Sequence, residues 1–408
     1  MKRGRRHPGY GYGSGFRLLW ASVVVSGLGS GMRYVALPLL AAELTSDPRK
    51  VSLVFLAGQL PWPLVMLSAG VVADRVDRRR LMYAVNTARA GVAGALAVAV
   101  ALGDATLLLL MAVAAALDLG QRFYAGAWAG IVPAIVPPPG RDRGNAALQG
   151  GSVAATLVVG NPVGAALFDV DPALPFTFDA LSFLVAAALI GLLRGSFRRP
   201  PETGTGAPAS FYRQAADGFG LLWNQPLLRR IALLSALCNL VGAAQIAIGV
   251  LFVRDDLGLS STGYGALAAA FGVGSLLASL LEGRLVALLG RGRVLCAAMV
   301  AASAAALGIG LSDSGWEAGC FTALYGMSMT LWAVTVTTVR QGCVPGEYMG
   351  RVTMTHKTVV RAAATLGAAV GGLTAHALGL RPVFLIGSAL LLAGVLAGGR
   401  GLLKASRS

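Results

Sequence analysis

Charge is what this 408-residue sequence has least of: Asp, Glu, Lys and Arg together make up 13% of it, about half the share in an ordinary soluble domain. Cysteine (4), histidine (3) and aromatic side chains (7%) are sparse as well. Cys238, Cys296, Cys320 and Cys343 have neither metal nor redox spacing, which excludes a zinc module and a thiol-disulfide enzyme; free, buried thiols are expected. With three His, no paired metal ligands within a helix and no Gly-x-Ser-x-Gly elbow, a membrane-embedded enzyme has little to work with. The sequence calls for no cofactor and no metal.

Apolar side chains take the place of charge. They form 56% of the chain, with 55 Gly and a mean hydropathy of +0.69. This character is spread along the whole sequence, which excludes a soluble globule and equally a soluble domain on one anchor; the chain reads as a polytopic membrane protein. The basic opening MKRGRRH precedes an apolar run from about Phe16 to Leu44. That run is longer than the ~7–15 residues of a signal-peptide core, so it reads as an uncleaved first helix.

Turn and charge clusters divide the sequence into twelve stretches long enough to cross a bilayer. Their approximate limits are 16–42, 52–73, 81–102, 105–134, 145–168, 174–193, 228–253, 262–286, 294–312, 316–339, 352–378 and 381–399. An even count puts both termini on one side. Of 34 Lys and Arg, 26 fall on the side of the N-terminus, four (Arg49, Lys50, Arg254, Arg381) on the other and four inside helices, which predicts cytoplasmic termini. Topology therefore accounts for the net charge of +16, and no nucleic-acid partner is required. Thirty Arg against four Lys, with abundant Ala and Gly, fits a high-GC bacterial genome and hence a bacterial cell membrane.

The longest polar stretch, 194–227, divides the chain into an N-terminal six-helix unit (1–193) and a C-terminal one (228–408). It opens as a Pro/Gly/Thr linker and continues with Phe211, Ala215, Phe219 and Leu222 at helical spacing, as in a helix lying on a membrane. The halves resemble each other. Gly70, Arg78 and Arg80 align with Gly283, Arg291 and Arg293, and Val136-Pro137 with Val344-Pro345. The expected architecture is thus all-α, with twelve transmembrane helices in two pseudo-symmetric six-helix bundles, as in a rocking transporter.

The loop after the second stretch, GVVADRVDRRR, resembles the Gly-x-x-x-Asp-Arg-x-Gly-Arg-Arg signature of the major facilitator superfamily, with Gly70, Asp74, Arg75, Arg78 and Arg79 at motif positions and Asp77 in place of the second Gly. The resemblance covers nearly the whole chain. It implies a gating loop in which Asp74 pairs with arginines or with the start of helix 11, near Arg351. In the fifth stretch GNPVGAAL resembles the superfamily's exporter motif, carried by Gly160, Pro162 and Gly164: the proline bends the helix and the glycines give it a flat face. The opening of the chain resembles the branch of siderophore exporters, macrolide efflux proteins and antibiotic-cluster transporters, whose members often have an acid where this chain has Ser30.

Ionisable residues inside a membrane are candidate functional groups. Asp118 and Arg122 lie four apart in the fourth stretch, on one helical face, and are expected to couple transport to protons, Asp118 as acceptor and Arg122 as modulator. Arg33 and Arg361 are expected to face the cavity, Arg33 favouring anionic groups on the substrate. Asp179 is read as a rim residue near its helix end, Arg89 as snorkelling, and His356 and His376 as interface residues. If helices 1, 4, 7 and 10 line the cavity, as the resemblance implies, they offer Tyr34, Tyr124, Trp128, Asn239, Gln245, Tyr325, Trp332 and Thr335. Such a lining suits a bulky, partly apolar small molecule. The expected function is proton-coupled efflux of a drug-like, antibiotic or siderophore-like compound by a monomer in the lipid bilayer. An uncoupled or importing metabolite permease, and a transport-dead sensor, stay open as alternatives.

Overall fold

A computed structural model describes residues 13–59, 76–193, 197 and 219–405. The helices, numbered in chain order, are α1 (Ser14–Leu44), α2 (described over Pro48–Gln59), α3 (Arg78–Ala101) and α4 (Leu107–Ile135). The fifth, α5, has three parts: Arg141–Val153, the wider π-helical turns Ala154–Gly160, and Asn161–Val170. Next come α6 (Leu174–Gly191) and α7 (Pro226–Leu251, continued by a π-helical turn Phe252–Asp256). The rest are α8 (Ser261–Leu289), α9 (Arg291–Leu311), α10 (Gly315–Cys343), α11 (Gly346–Leu378) and α12 (Leu380–Ala405). Among the described residues, eleven helices are long and apolar enough to cross a membrane, and α2, twelve residues as described, covers the beginning of the remaining stretch.

Local chemistry explains where several helices begin and end. Asp77, Thr106, Ser260 and Ser314 cap α3, α4, α8 and α10, each side chain accepting a first-turn N–H. The loops expected between stretches eight and nine, and between eleven and twelve, shrink to single residues. Gly290 (φ +80°) joins α8 to α9 and Gly379 (φ +94°) joins α11 to α12, in a left-handed backbone region that glycine enters without a Cβ clash.

Packing within the two halves follows one scheme. In the first, α1 packs on α6 and α5, α3 on α6 and α4, and α2 on α4. In the second, α7 packs on α12 and α11, α9 on α12 and α10, and α8 on α10. Adding six to each helix number converts one list into the other, which is the pseudo-symmetry expected from the internal sequence matches. The halves meet through the symmetric counterparts α2 on α11 and α8 on α5.

The first half holds apolar clusters around Leu96, Phe176 and Phe183, and around Leu19, Met82 and Ile131. The second is built around Ile248, Met299 and Phe384. Leu108, Leu280, Trp316 and Leu396 point outward and are exposed, an apolar exterior that only a lipid solvent accommodates. For the same reason the expectation of four buried thiols fails: Cys238 is buried, Cys296 is intermediate, and Cys320 and Cys343 are exposed.

Hydrogen bonds and ion pairs between the halves, among the described residues, occur away from the chain termini. On the far face Arg254 of α7 donates to the Ala42 carbonyl of α1, and the Thr262 N–H donates to Asp169 at 3.2 Å. His376 of α11 lies 3.8 Å from Asp47. The deepest link is Arg361 to the Gln59 side-chain oxygen, 2.8 Å, near the middle of α11.

Candidate functional site: a charged cavity beneath α1

A cavity of about 590 Å³ opens among the midsections of α1, α2, α4 and α5, within the size range of small-molecule sites. Among the described residues, the second half contributes Ile246, Ala247, Tyr264 and Arg361 to its wall. Four arginines line it, Arg33, Arg89, Arg122 and Arg361, together with Asp118, Tyr34, Tyr124, Gln121 and Trp128.

Asp118 and Arg122 lie one turn apart on α4 and form a forked pair, with Arg122 Nε 3.0 Å from Oδ2 and Nη2 2.9 and 2.8 Å from the two carboxylate oxygens. Both side chains keep partial exposure, 26% and 19%, so the pair is desolvated yet open to the cavity.

A second pair lies behind the first. Arg33 Nε donates to Asp179 Oδ2 at 2.9 Å, and Asp179 is fully buried. This corrects the reading of Asp179 as a rim residue: α6 is drawn so close to α1 that a Cβ on Gly29 would overlap Ser182 and the Asp179 backbone. The carboxylate is therefore sealed between helices. Arg89 does not snorkel to the membrane edge either. It is 3% exposed, stacks on the Phe183 ring at 3.9 Å and donates weakly to the Ser30 hydroxyl at 3.4 Å.

The exporter-like motif of α5 lies against α1. A Cβ on Gly160 would approach the Leu28 carbonyl and Gly31 within 3 Å, and one on Gly164 would overlap the Met32 backbone. Pro162 has no N–H to give the preceding turn, and the chain before it runs as a π-helix over Ala154–Gly160, a widening that often accompanies function. Ala165, where the motif has a second Gly, packs on Gly265 of α8.

Of the gating loop, Gly70, Asp74 and Arg75 lie outside the described residues. Arg78 donates to the Gly130 carbonyl at 3.0 Å and Arg79 to the Leu193 carbonyl, both within the first half. Asp77, the departure from the motif, accepts the N–H groups of Arg79 and Arg80 at 2.9 and 3.3 Å and that of Phe197 at 3.3 Å. It ties the start of α3 to the chain beyond α6.

The expected lining by helices 1, 4, 7 and 10 needs correction. No α10 residue reaches the cavity; Tyr325 and Trp332 are 6% and 3% exposed in the core of the second half, with the Trp332 indole donating to Ser235 at 3.0 Å. Thr335 is fully buried, and Gln245 is buried against Gly387 of α12. Asn239 is exposed and donates to the Ser235 carbonyl. None of these five lines the cavity. Large side chains in α10 are consumed by its packing on α8 and α9. Sequence reasoning missed Gln59 and Tyr264, which do line it; the lone amide Gln59, within an apolar run, was the available signal. His356 is buried and His376 exposed at the far end of α11.

The model of a transmembrane secretion effector family matches residues 13–408. Among solved structures, a bacterial homologue of the human lysosomal transporter Spinster, inward-facing and unoccupied, superposes with TM-score 0.73 at 15% identity, covering 98% of this chain and 99% of that one. A bacterial homologue of the iron transporter ferroportin, inward-facing, gives 0.74 at 16% identity over 97% and 99%. The nucleoside transporter NupG gives 0.71 at 15% identity over 95% and 99%. Comparison with curated protein sequences gives no match.

Proposed function

This chain belongs to the transmembrane secretion effector family of the major facilitator superfamily, and on that premise we propose that it exports a drug-like, antibiotic or siderophore-like small molecule in exchange for protons. It is a multi-pass membrane transporter and not an enzyme. The observation that carries the coupled reading is the Asp118–Arg122 pair, forked and partly open in the wall of the cavity. Asp118 is the proton acceptor and Arg122 holds it ionised until substrate or conformational change separates the two. The close seating of Gly160 and Gly164 on α1, with the widened turn before Pro162, supports export over import.

With the termini in the cytoplasm of a bacterial cell, the far-face links from Arg254, Thr262 and His376 support reading this as an inward-facing state. Residues 1–193 and 228–408 rock about the cavity as a monomer, and the loop carrying Gly70, Asp74 and Arg75 closes the cytoplasmic side when those links break. Ser30 favours a second reading, an uncoupled permease, because this side chain brings no acid to the cavity.

Uptake into everted vesicles tests both readings across macrolides, catecholate siderophores, lipophilic cations and aromatic acids, with and without an imposed proton gradient. Movement that depends on the gradient supports antiport. Movement indifferent to the gradient supports the permease, and none by folded protein in either direction counts against transport of these classes.

A further inference from the structure

We infer that the cavity recognises an organic anion, whose single carboxylate or sulfonate group is seated by Arg89 and the Ser30 hydroxyl beneath α1. The inference rests on the transport reading of the same cavity but not on direction or coupling. Arg89 is almost fully buried, and an arginine does not shed its proton to escape burial. Its only hydrogen-bond partner among the described residues is the Ser30 hydroxyl, at 3.4 Å, and its Nε has none. Phe183 covers one face of the guanidinium, an attraction worth less than a paired counter-ion. The carboxylate facing this region, Asp179 from α6, gives Oδ2 to Arg33 at 2.9 Å, and its Oδ1 is buried without a hydrogen-bond partner and out of reach of Arg89. Asp118, on α4, is held through both oxygens by Arg122. Two guanidinium groups, Arg33 and Arg89, thus share one carboxylate where stray charge is expensive.

A ligand oxyanion supplies the missing charge. Arg89 and Ser30 both line the cavity, so the acid group would lie against their free donors while Trp128, Tyr264 and Phe55, also in the lining, take an aromatic or aliphatic body. A cationic ligand would meet Arg33 and Arg89, and the acid among the described lining residues, Asp118, is held by Arg122, so lipophilic cations are disfavoured by the same charge balance.

Thermal-shift titration of the full chain in a neutral maltoside, at low salt, tests this with three probes of one shape: 1-naphthoate, 1-naphthamide and 1-naphthylmethylammonium. The wild-type protein should bind naphthoate about tenfold or more tightly than the amide, the scale of one charge-assisted hydrogen-bonded contact, and the cation least. Arg89→Gln should abolish the preference for naphthoate over the amide, while Arg89→Lys retains part of it. Should Arg89→Gln fail to fold, the wild-type ranking and Arg89→Lys still decide. Equal affinity for the three probes, no binding by any of them to folded wild type, or a naphthoate preference intact in Arg89→Gln overturns the inference. Gradient-driven efflux of the exporter panel is independent of all these outcomes, so the two readings fail separately.

Discussion

Arg33 Nε lies 2.9 Å from Asp179 Oδ2, an ion pair that ties α1 to α6 from behind the cavity wall. Removing one partner of such a pair leaves the other desolvated and unpaired. Asp179→Asn should therefore cost about 3 kcal/mol of stability, and the double variant Arg33→Gln/Asp179→Asn should recover part of it. Thermal unfolding of the four proteins in detergent measures the coupling; strictly additive losses would mean the pair is not interacting.

Asp118→Asn should remove gradient-driven transport and leave substrate binding within a few-fold of wild type, because the amide keeps the shape and loses the titration. Paired flux and binding measurements on vesicles check this. Unchanged gradient-driven flux in the variant would remove Asp118 from the coupling mechanism.

Gly164→Ala should be destabilising by about 1–3 kcal/mol, since the new methyl group overlaps the Met32 backbone of α1. The control is Gly150→Ala, where a Cβ meets nothing within 4 Å. Comparable unfolding temperatures for the two variants would mean that α5 and α1 are not so tightly apposed.

The far face carries a defined pH behaviour. Hydrogen bonds from Arg49 hold the Asp47 carboxyl down to about 2. A carboxylate lowered in this way contributes its stabilisation in full above the ordinary carboxylate range and loses it only as pH falls through about 2. Asp47 thus stays ionised toward His376 throughout pH 4–8. Far-face closure, read as the distance between spin labels on α2 and α11, should fall in Asp47→Asn, most strongly toward the acidic end of that range where the histidine partner is protonated. A loss confined to the upper end of that range would contradict an ionised Asp47 acting on a protonated His376.

Most of the fold was legible because its signals act along the chain. Apolar runs, loop charges and the matches at Gly70/Gly283 and Arg78/Arg291 pointed to a duplicated helical membrane protein, and the packing scheme repeats in both halves. Less of the site was legible. Asp118 and Arg122 were found because helical spacing alone brings them together. Asp179, Arg89 and Gln59 were misread or missed because their partners, Arg33, Ser30 and Arg361, are 146, 59 and 302 residues away. Tyr325 and Trp332 were placed in the wrong environment for the same reason: periodicity does not say which neighbouring helix covers a given face.

The sequence by itself determined residence in the membrane and the helical class, since hydropathy is summed over neighbouring residues. Only the tertiary structure decided which buried charges are paired, with Asp179 given to Arg33 and Arg89 left to a hydroxyl and a ring. The cost of an unpaired charge depends on what faces it across a helix interface, and that interface exists only when α1, α3 and α6 pack together.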